Sequence, residues 1–248
     1  METKTVTKKN PADTLKTKAE IERKKKLYAS KEMDFKDNLD KSKALIRKLE
    51  EDIKKSNDGF NDYRQIAIAN EYLTMISLYI QITEEMVTLK GVRNETYLSE
   101  GRKAFYGVFL ILEKIFTDVI NLEPTEIQAK IEQLPKFDPA RKIIFFRRMG
   151  FILDRLSESF TDKSKYKFSF HDMLARYAII VKNSSNFKDL SVRDPRKIFF
   201  EENQILYNML LDLLNKASDK LREKYEVSTK EAEDMKKAIR ILEELKRI

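Results

Sequence analysis

Cysteine and tryptophan are absent from this chain, and histidine occurs once. Without thiols there can be no disulfide, no thiolate nucleophile and no cysteine-ligated metal. With His171 alone, one chain cannot build a two-histidine metal site or the Glu-x-x-His pairs of a di-iron bundle. Only 5 glycines and 5 prolines punctuate 248 residues. Neither G-x-x-x-x-G-K-S/T nor G-x-G-x-x-G occurs, so the usual phosphate-cradling loops are missing. Long apolar runs are missing too. The longest, GVFLIL at 107–112, falls far short of the roughly 18 residues a membrane span needs. The N-terminal METKTVTKKNPADTLKTK is charged and has no apolar stretch, unlike a secretory signal. A cytoplasmic location is expected.

What is present is 42% hydrophobic and 36% charged residue content, rich in helix formers and poor in turn formers. Few turns in a long chain mean few, long elements, the composition of a helical bundle. The expected fold is all-α: a bundle of seven to eight helices with a long N-terminal helix and an amphipathic C-terminal one. KYKFSF, 165–170, is the one candidate strand.

Four segments are expected. Residues 1–12 read as a disordered tail. Residues 13–58 form a long helix, capped by Asp13 and ended by Asn57-Asp58-Gly59. In it Phe35, Leu39, Ser42, Ile46, Leu49 and Ile53 alternate spacings of four and three, a heptad seam. Phe35, Leu39, Ile46, Leu49 and Ile53 are therefore candidate self-association residues. Its first third, with only Ile21, Leu27 and Tyr28 to bury, is either solvated or awaits another chain.

Residues 59–227 form the helical core domain. Phe60 to Lys90 is apolar over most of its circumference, the mark of a central helix, and Gly91 is placed to end it. Asn94 caps a helix to about Asn121, and Pro124 starts a short one. Asp138-Pro139 and Asp194-Pro195 each place a capping carboxylate before a proline, predicting helix starts. Ser169 to Asp172 opens a helix through Val181, and Asn183 to Val192 reads as a surface loop. Residues 228–248 form the last helix, opened by a capping box at Ser228 to Glu231, with Met235, Ile239 and Leu242 on one face.

Charge is uneven. Residues 1–56 carry +6, 57–135 carry −5, 136–200 carry +8 and 201–248 carry −1. The 136–200 segment also holds 10 of the 15 phenylalanines. Within it, RKIIFFRRMGFILDR (141–155) lines up Arg141, Arg148 and Arg155 at seven-residue spacing, with Ile144 and Phe151 in the same line. Phe145, Met149, Ile152 and Leu156 face the other way. Two uses fit this stripe: pairing with the acidic 57–135 helices, or meeting a partner, since arginine and aromatics are favoured at interface centres.

No catalytic, cofactor or metal site is assigned. Glu84-Glu85, Glu201-Glu202 and Glu243-Glu244 are adjacent pairs that diverge by about 100° on a helix. Asp34, Asp37 and Asp40 lack the glycine and terminal glutamate of a calcium loop. The functional expectation is a non-enzymatic helical scaffold or assembly subunit, working through protein–protein contacts or homo-oligomerisation. Its candidate partner-binding residues are Arg141, Ile144, Arg148, Phe151, Arg155, Arg193, Arg196 and Lys197. The alternative is a nucleic-acid-binding protein using the basic, Phe-rich 136–200 segment, with an anionic membrane surface as a third kind of partner.

Overall fold

The computed structural model describes residues 11–56, 58–161 and 164–248, with side chains from residue 19 onward. The expected tail at 1–12 lies almost wholly outside the described residues, as does Asn57. The chain is all-α. Its helices are α1 (Pro11–Lys55), α2 (Asn61–Lys90), α3 (Glu95–Phe116), α4 (Pro124–Glu132), α5 (Pro139–Ser159), α6 (Lys167–Asn183), the single turn α7 (Phe187–Leu190), α8 (Phe200–Lys224) and α9 (Ala232–Arg247). A π-helical turn, Tyr225–Thr229, joins α8 to α9. No strand occurs among the described residues, and KYKFSF runs into the start of α6. No described helix is long and apolar enough to cross a membrane.

α2 is the axis. Its residues Ile66, Ala69, Leu73, Ile76 and Ile80 join the main core, built with α3, α5, α6 and α8. Its residues Ile68, Met75, Tyr79 and Ile82 face the other way and bury Tyr28, Phe35, Leu39 and Ile46 of α1. A helix apolar nearly all round is thus covered on both sides. The seam residues Phe35, Leu39 and Ile46 pack on α2 of the same chain, with Leu49 and Ile53 partly buried beside them. The partner that the heptad spacing calls for is intramolecular. The start of α1 has no such cover. Residues 19–27 are exposed throughout, about 13 Å of helix supported by the Lys24–Glu20 and Lys26–Glu22 pairs.

Local signals place several ends well. Asn94 accepts from the Thr96 and Tyr97 amides, Asp138 accepts from the Arg141 amide, and Gly91 ends α2 at φ 67°. Others differ from expectation. α1 begins at Pro11, ahead of Asp13. α3 stops at Phe116, before Asn121, because Thr117 adopts φ 62°. Asp194-Pro195 starts only a turn, in which Asp194 accepts from the Arg196 amide. Phe199 at φ 61° delays α8 to Phe200. α6 is already helical at Ser169, whose hydroxyl donates back to the Tyr166 carbonyl. Asn183, Ser184 and Ser185, expected in a surface loop, are buried; the Asn183 amide donates to the Thr117 and Val119 carbonyls and so ties α6 to the α3–α4 connection.

α9 departs most. It starts at Ala232, after Lys230 in the left-handed region, so Ser228 to Glu231 forms no capping box. Its buried face is Asp234, Ala238, Ile241 and Glu244, while Ile239 and Leu242 are exposed. The register turns because cations wait inside. Fully buried Lys182 of α6 pairs with Glu244 at 2.7 Å, and Lys224 bridges Asp172 and Asp234 at 2.9 and 3.0 Å. Burial pushes the Asp234 carboxyl up, but hydrogen bonds from Thr229 and Lys224 outweigh it and hold it below the ordinary value. That contribution is present above the unfolded carboxyl value of about 3.9 and fades as pH falls through the lower folded value.

Removing one partner of a buried ion pair strands the other charge, at a cost of about 3–5 kcal/mol. Glu244→Gln should therefore lower the urea unfolding midpoint by an amount equivalent to that loss.

Candidate functional site

α5 carries the basic–apolar stripe, and its surroundings sort the stripe into three faces. Pro139 at the first helical position and the Asp138 cap start it. The inward face (Phe145, Phe146, Met149, Ile152, Leu153 and Leu156) lies in the main core. Phe137, Phe145 and Phe146 meet edge to face at 5.5–6.1 Å, the geometry favoured by the aromatic quadrupole. Gly150 permits a close approach here. The Tyr177 hydroxyl donates to the Phe146 carbonyl at 2.6 Å, and a β-carbon on residue 150 would sit 3.0 Å from that hydroxyl.

The lateral face turns to α2. Arg148 donates to Asn70 Oδ1 at 2.5 Å and Thr74 Oγ1 at 2.9 Å. Arg155 forms an ion pair with Glu84, and Arg141 donates to the Lys136 carbonyl and lies 3.5 Å from Asp138. These three arginines serve the chain's own structure. The outer face keeps Ile144, 70% exposed, and Phe151, 62% exposed, with Arg147 exposed between them. Arg147 has no carboxylate within 4 Å among the described residues. The single line expected from seven-residue spacing therefore splits. At 100° per residue, Ile144 and Phe151 lie about 40–60° to one side of their neighbouring arginines. That is enough to send the Arg148 and Arg155 guanidinium groups to α2, to keep Arg141 at the start of α5 beside Lys136 and Asp138, and to leave the hydrocarbon outside.

The second predicted cluster sits before α8. Arg193 reaches Gln204 at 3.4 Å and the Tyr207 ring at 5.9 Å. Arg196, Lys197 and Ile198 are exposed, Ile198 at 83%. No hydrogen bond or ion pair joins these residues to the α5 arginines among the described residues, so the two clusters are separate features.

Lys142, one residue into the same stripe, carries a role that its position in a basic run conceals. It is buried, donates to the Ser184 carbonyl at 2.7 Å, and so ties α5 to the end of α6. Burial holds its ammonium down at about 8, against the pull of Asp189 and Asp138. Nothing local in the sequence distinguishes it from Arg141, because its partner is 42 residues away.

Fold and surface together define a class: an all-α bundle that encloses ion pairs and presents a helix face of arginine and hydrocarbon. Residues 24–248 match the model of the TP0443 family, and the chain belongs to that family. No curated protein and no solved structure matches it.

Because the folded Lys142 value lies below the ordinary 10.5, unfolding takes up a proton between those two values. Stability is flat below pH 8 in this respect and rises as pH climbs through that window. Lys142→Met removes the charge but also the Ser184 hydrogen bond, worth about 1 kcal/mol. The variant should melt above the parent at pH 7, and its advantage should vanish by about pH 10, as read by thermal melts across pH.

Proposed function

We propose that the protein is a non-enzymatic helical scaffold or assembly subunit, and that its outer α5 face binds a protein partner. The observation that carries this reading is the exposure of Ile144 and Phe151 on a helix whose opposite side is core. One exposed apolar residue is ordinary. Two bulky ones two turns apart, with the exposed Arg147 between them, have the composition favoured at interface centres. The helix is already held by the core, so little conformational entropy is lost on docking. The uncovered start of α1 supports the same reading: an isolated helix is marginal in water, and a partner surface stabilises it.

A second reading, nucleic-acid binding, is favoured by the exposed Arg193, Arg196 and Lys197. Arg148 and Arg155, engaged with α2, do not contribute to it. Phosphate contacts of that kind weaken steeply with salt, whereas an apolar contact does not.

Affinity capture from the source cells at moderate salt, read by quantitative mass spectrometry, tests the proposal. The parent chain should retain a defined set of proteins that Ile144→Ser/Phe151→Ser loses. That variant should keep its stability within about 0.5 kcal/mol, as exposed positions do. Equal capture by both chains, or retained material that is mainly nucleic acid released by salt, overturns it.

A further inference from the structure

The single histidine, absent from the reading above, lies in a cleft between the end of α5, the start of α6 and the middle of α8. His171 is 7% exposed, yet its Nδ1 has no hydrogen-bond partner among the described residues. A buried polar atom left unpaired costs free energy, and such atoms call for an explanation. His171 lines a cavity of about 200 Å³. Leu153, Phe160, Phe170 and Leu174 give it an apolar wall, with the Phe160 and Phe170 rings 5.3 Å apart.

The rim is mostly cationic, with one carboxylate, Asp154, among its lining residues. Lys167 of α6 and Lys216 and Lys220 of α8 line the same cavity. Lys216 and Lys220 stand one turn apart, where like charges repel. Their partners are weak. Lys216 lies 3.5 Å from Asp154 and Lys220 2.6 Å from Glu223, both pairs substantially exposed and so of small net value. Lys167 has no carboxylate within 4 Å among the described residues. Asp154 and the carbonyl end of α5, about half a negative charge, stand against three ammonium groups.

We propose that this cleft binds a small phosphomonoester whose compact apolar group occupies the cavity and whose phosphate meets Lys167, Lys216 and Lys220. Three lysines lining one cleft suit a dianion better than a singly charged carboxylate. An apolar wall with a few convergent polar groups is the ordinary make-up of a ligand site. No hydrogen bond among the described residues joins His171 to the Ser157 or Asp154 of the same cleft. Among the described residues no nucleophile is held by this base, and the cleft is assigned to binding. The site is independent of the outer α5 face, and a failure of either leaves the other standing.

His171 is also the reporter. Burial lowers its pKa in the free protein. The charged groups around it are Asp154 of α5, Lys167 and Asp172 of α6, and Lys216, Lys220 and Glu223 of α8. A bound dianion adds negative charge and favours the imidazolium, so occupancy raises the pKa.

The test is a titration of the full chain, carrying ¹³C-labelled histidine, with phenyl phosphate, inorganic phosphate and benzoate in separate arms. Phenyl phosphate should shift the His171 imidazole signal saturably at millimolar concentration or below and raise the imidazole pKa. Lys216→Gln/Lys220→Gln, at an exposed and a half-buried position and checked for native helix content by circular dichroism, should weaken binding at least ~10-fold, the equivalent of one decade in Kd. Absence of a saturable shift, or equal binding by that variant, overturns the proposal. Equal affinity for benzoate overturns the phosphate assignment, and equal affinity for inorganic phosphate overturns the role of the apolar cavity.

Discussion

Hydrocarbon on two opposite faces of α2 is the constraint from which the remaining structure follows. Burying a large aliphatic side chain is worth about 1.5–3 kcal/mol, and α2 carries such residues toward two opposite faces. No single neighbour can cover both. α1 is therefore drawn onto one side along Phe35, Leu39 and Ile46, and α3 and α5 close the other. Once α5 lies there, Arg148 and Arg155 find Asn70, Thr74 and Glu84 on the flank of α2. Ile144 and Phe151 are left on the far side. The internal packing and the external face have one cause.

The C-terminal helix shows a different balance. α9 docks with Asp234 and Glu244 turned inward and Ile239 and Leu242 turned out. Buried ion pairs contribute little net stability against a well-packed apolar alternative, because desolvation offsets the attraction. They do penalise misalignment heavily. Lys182 and Lys224 accept α9 in one register, and a slide by one residue would strand charges. Arg247, 3.6 Å from Glu123, adds a tether to the α3–α4 connection.

Much of this could be read from the residues alone, and the limit has a physical form. Features set within one turn of chain were legible. The Asn94 and Asp138 caps, Gly91 after α2 and the all-round apolarity of Phe60 to Lys90 each depend on neighbours a few residues away. Features set by distant partners were not. Met235, Ile239 and Leu242 made the better apolar stripe, but Lys182 and Lys224 decided the register of α9. The heptad seam was visible, while the identity of its partner, α2, was not. Asp194-Pro195 resembles Asp138-Pro139 in sequence, yet Phe199 in the left-handed region separates it from its helix. The candidate site was legible in part: pairing of the stripe with the acidic 57–135 helices was one of two readings, and Arg155 follows it through Glu84. Arg148 meets the neutral Asn70 and Thr74, Arg141 stays with Lys136 and Asp138, and the hydrocarbon faces out. The His171 cleft unites residues from 153 to 220 and leaves no local trace.

Native-state hydrogen exchange resolved by residue tests most directly whether α2 organises the molecule. If it does, its amides exchange only by global unfolding and are among the slowest in the chain. α1 from Tyr28 to Ile53 should then share that protection, while residues 19–27 exchange near the rate of free helix. Fast exchange in α2, or protection of α2 that persists while Tyr28 to Ile53 opens independently, would contradict the account.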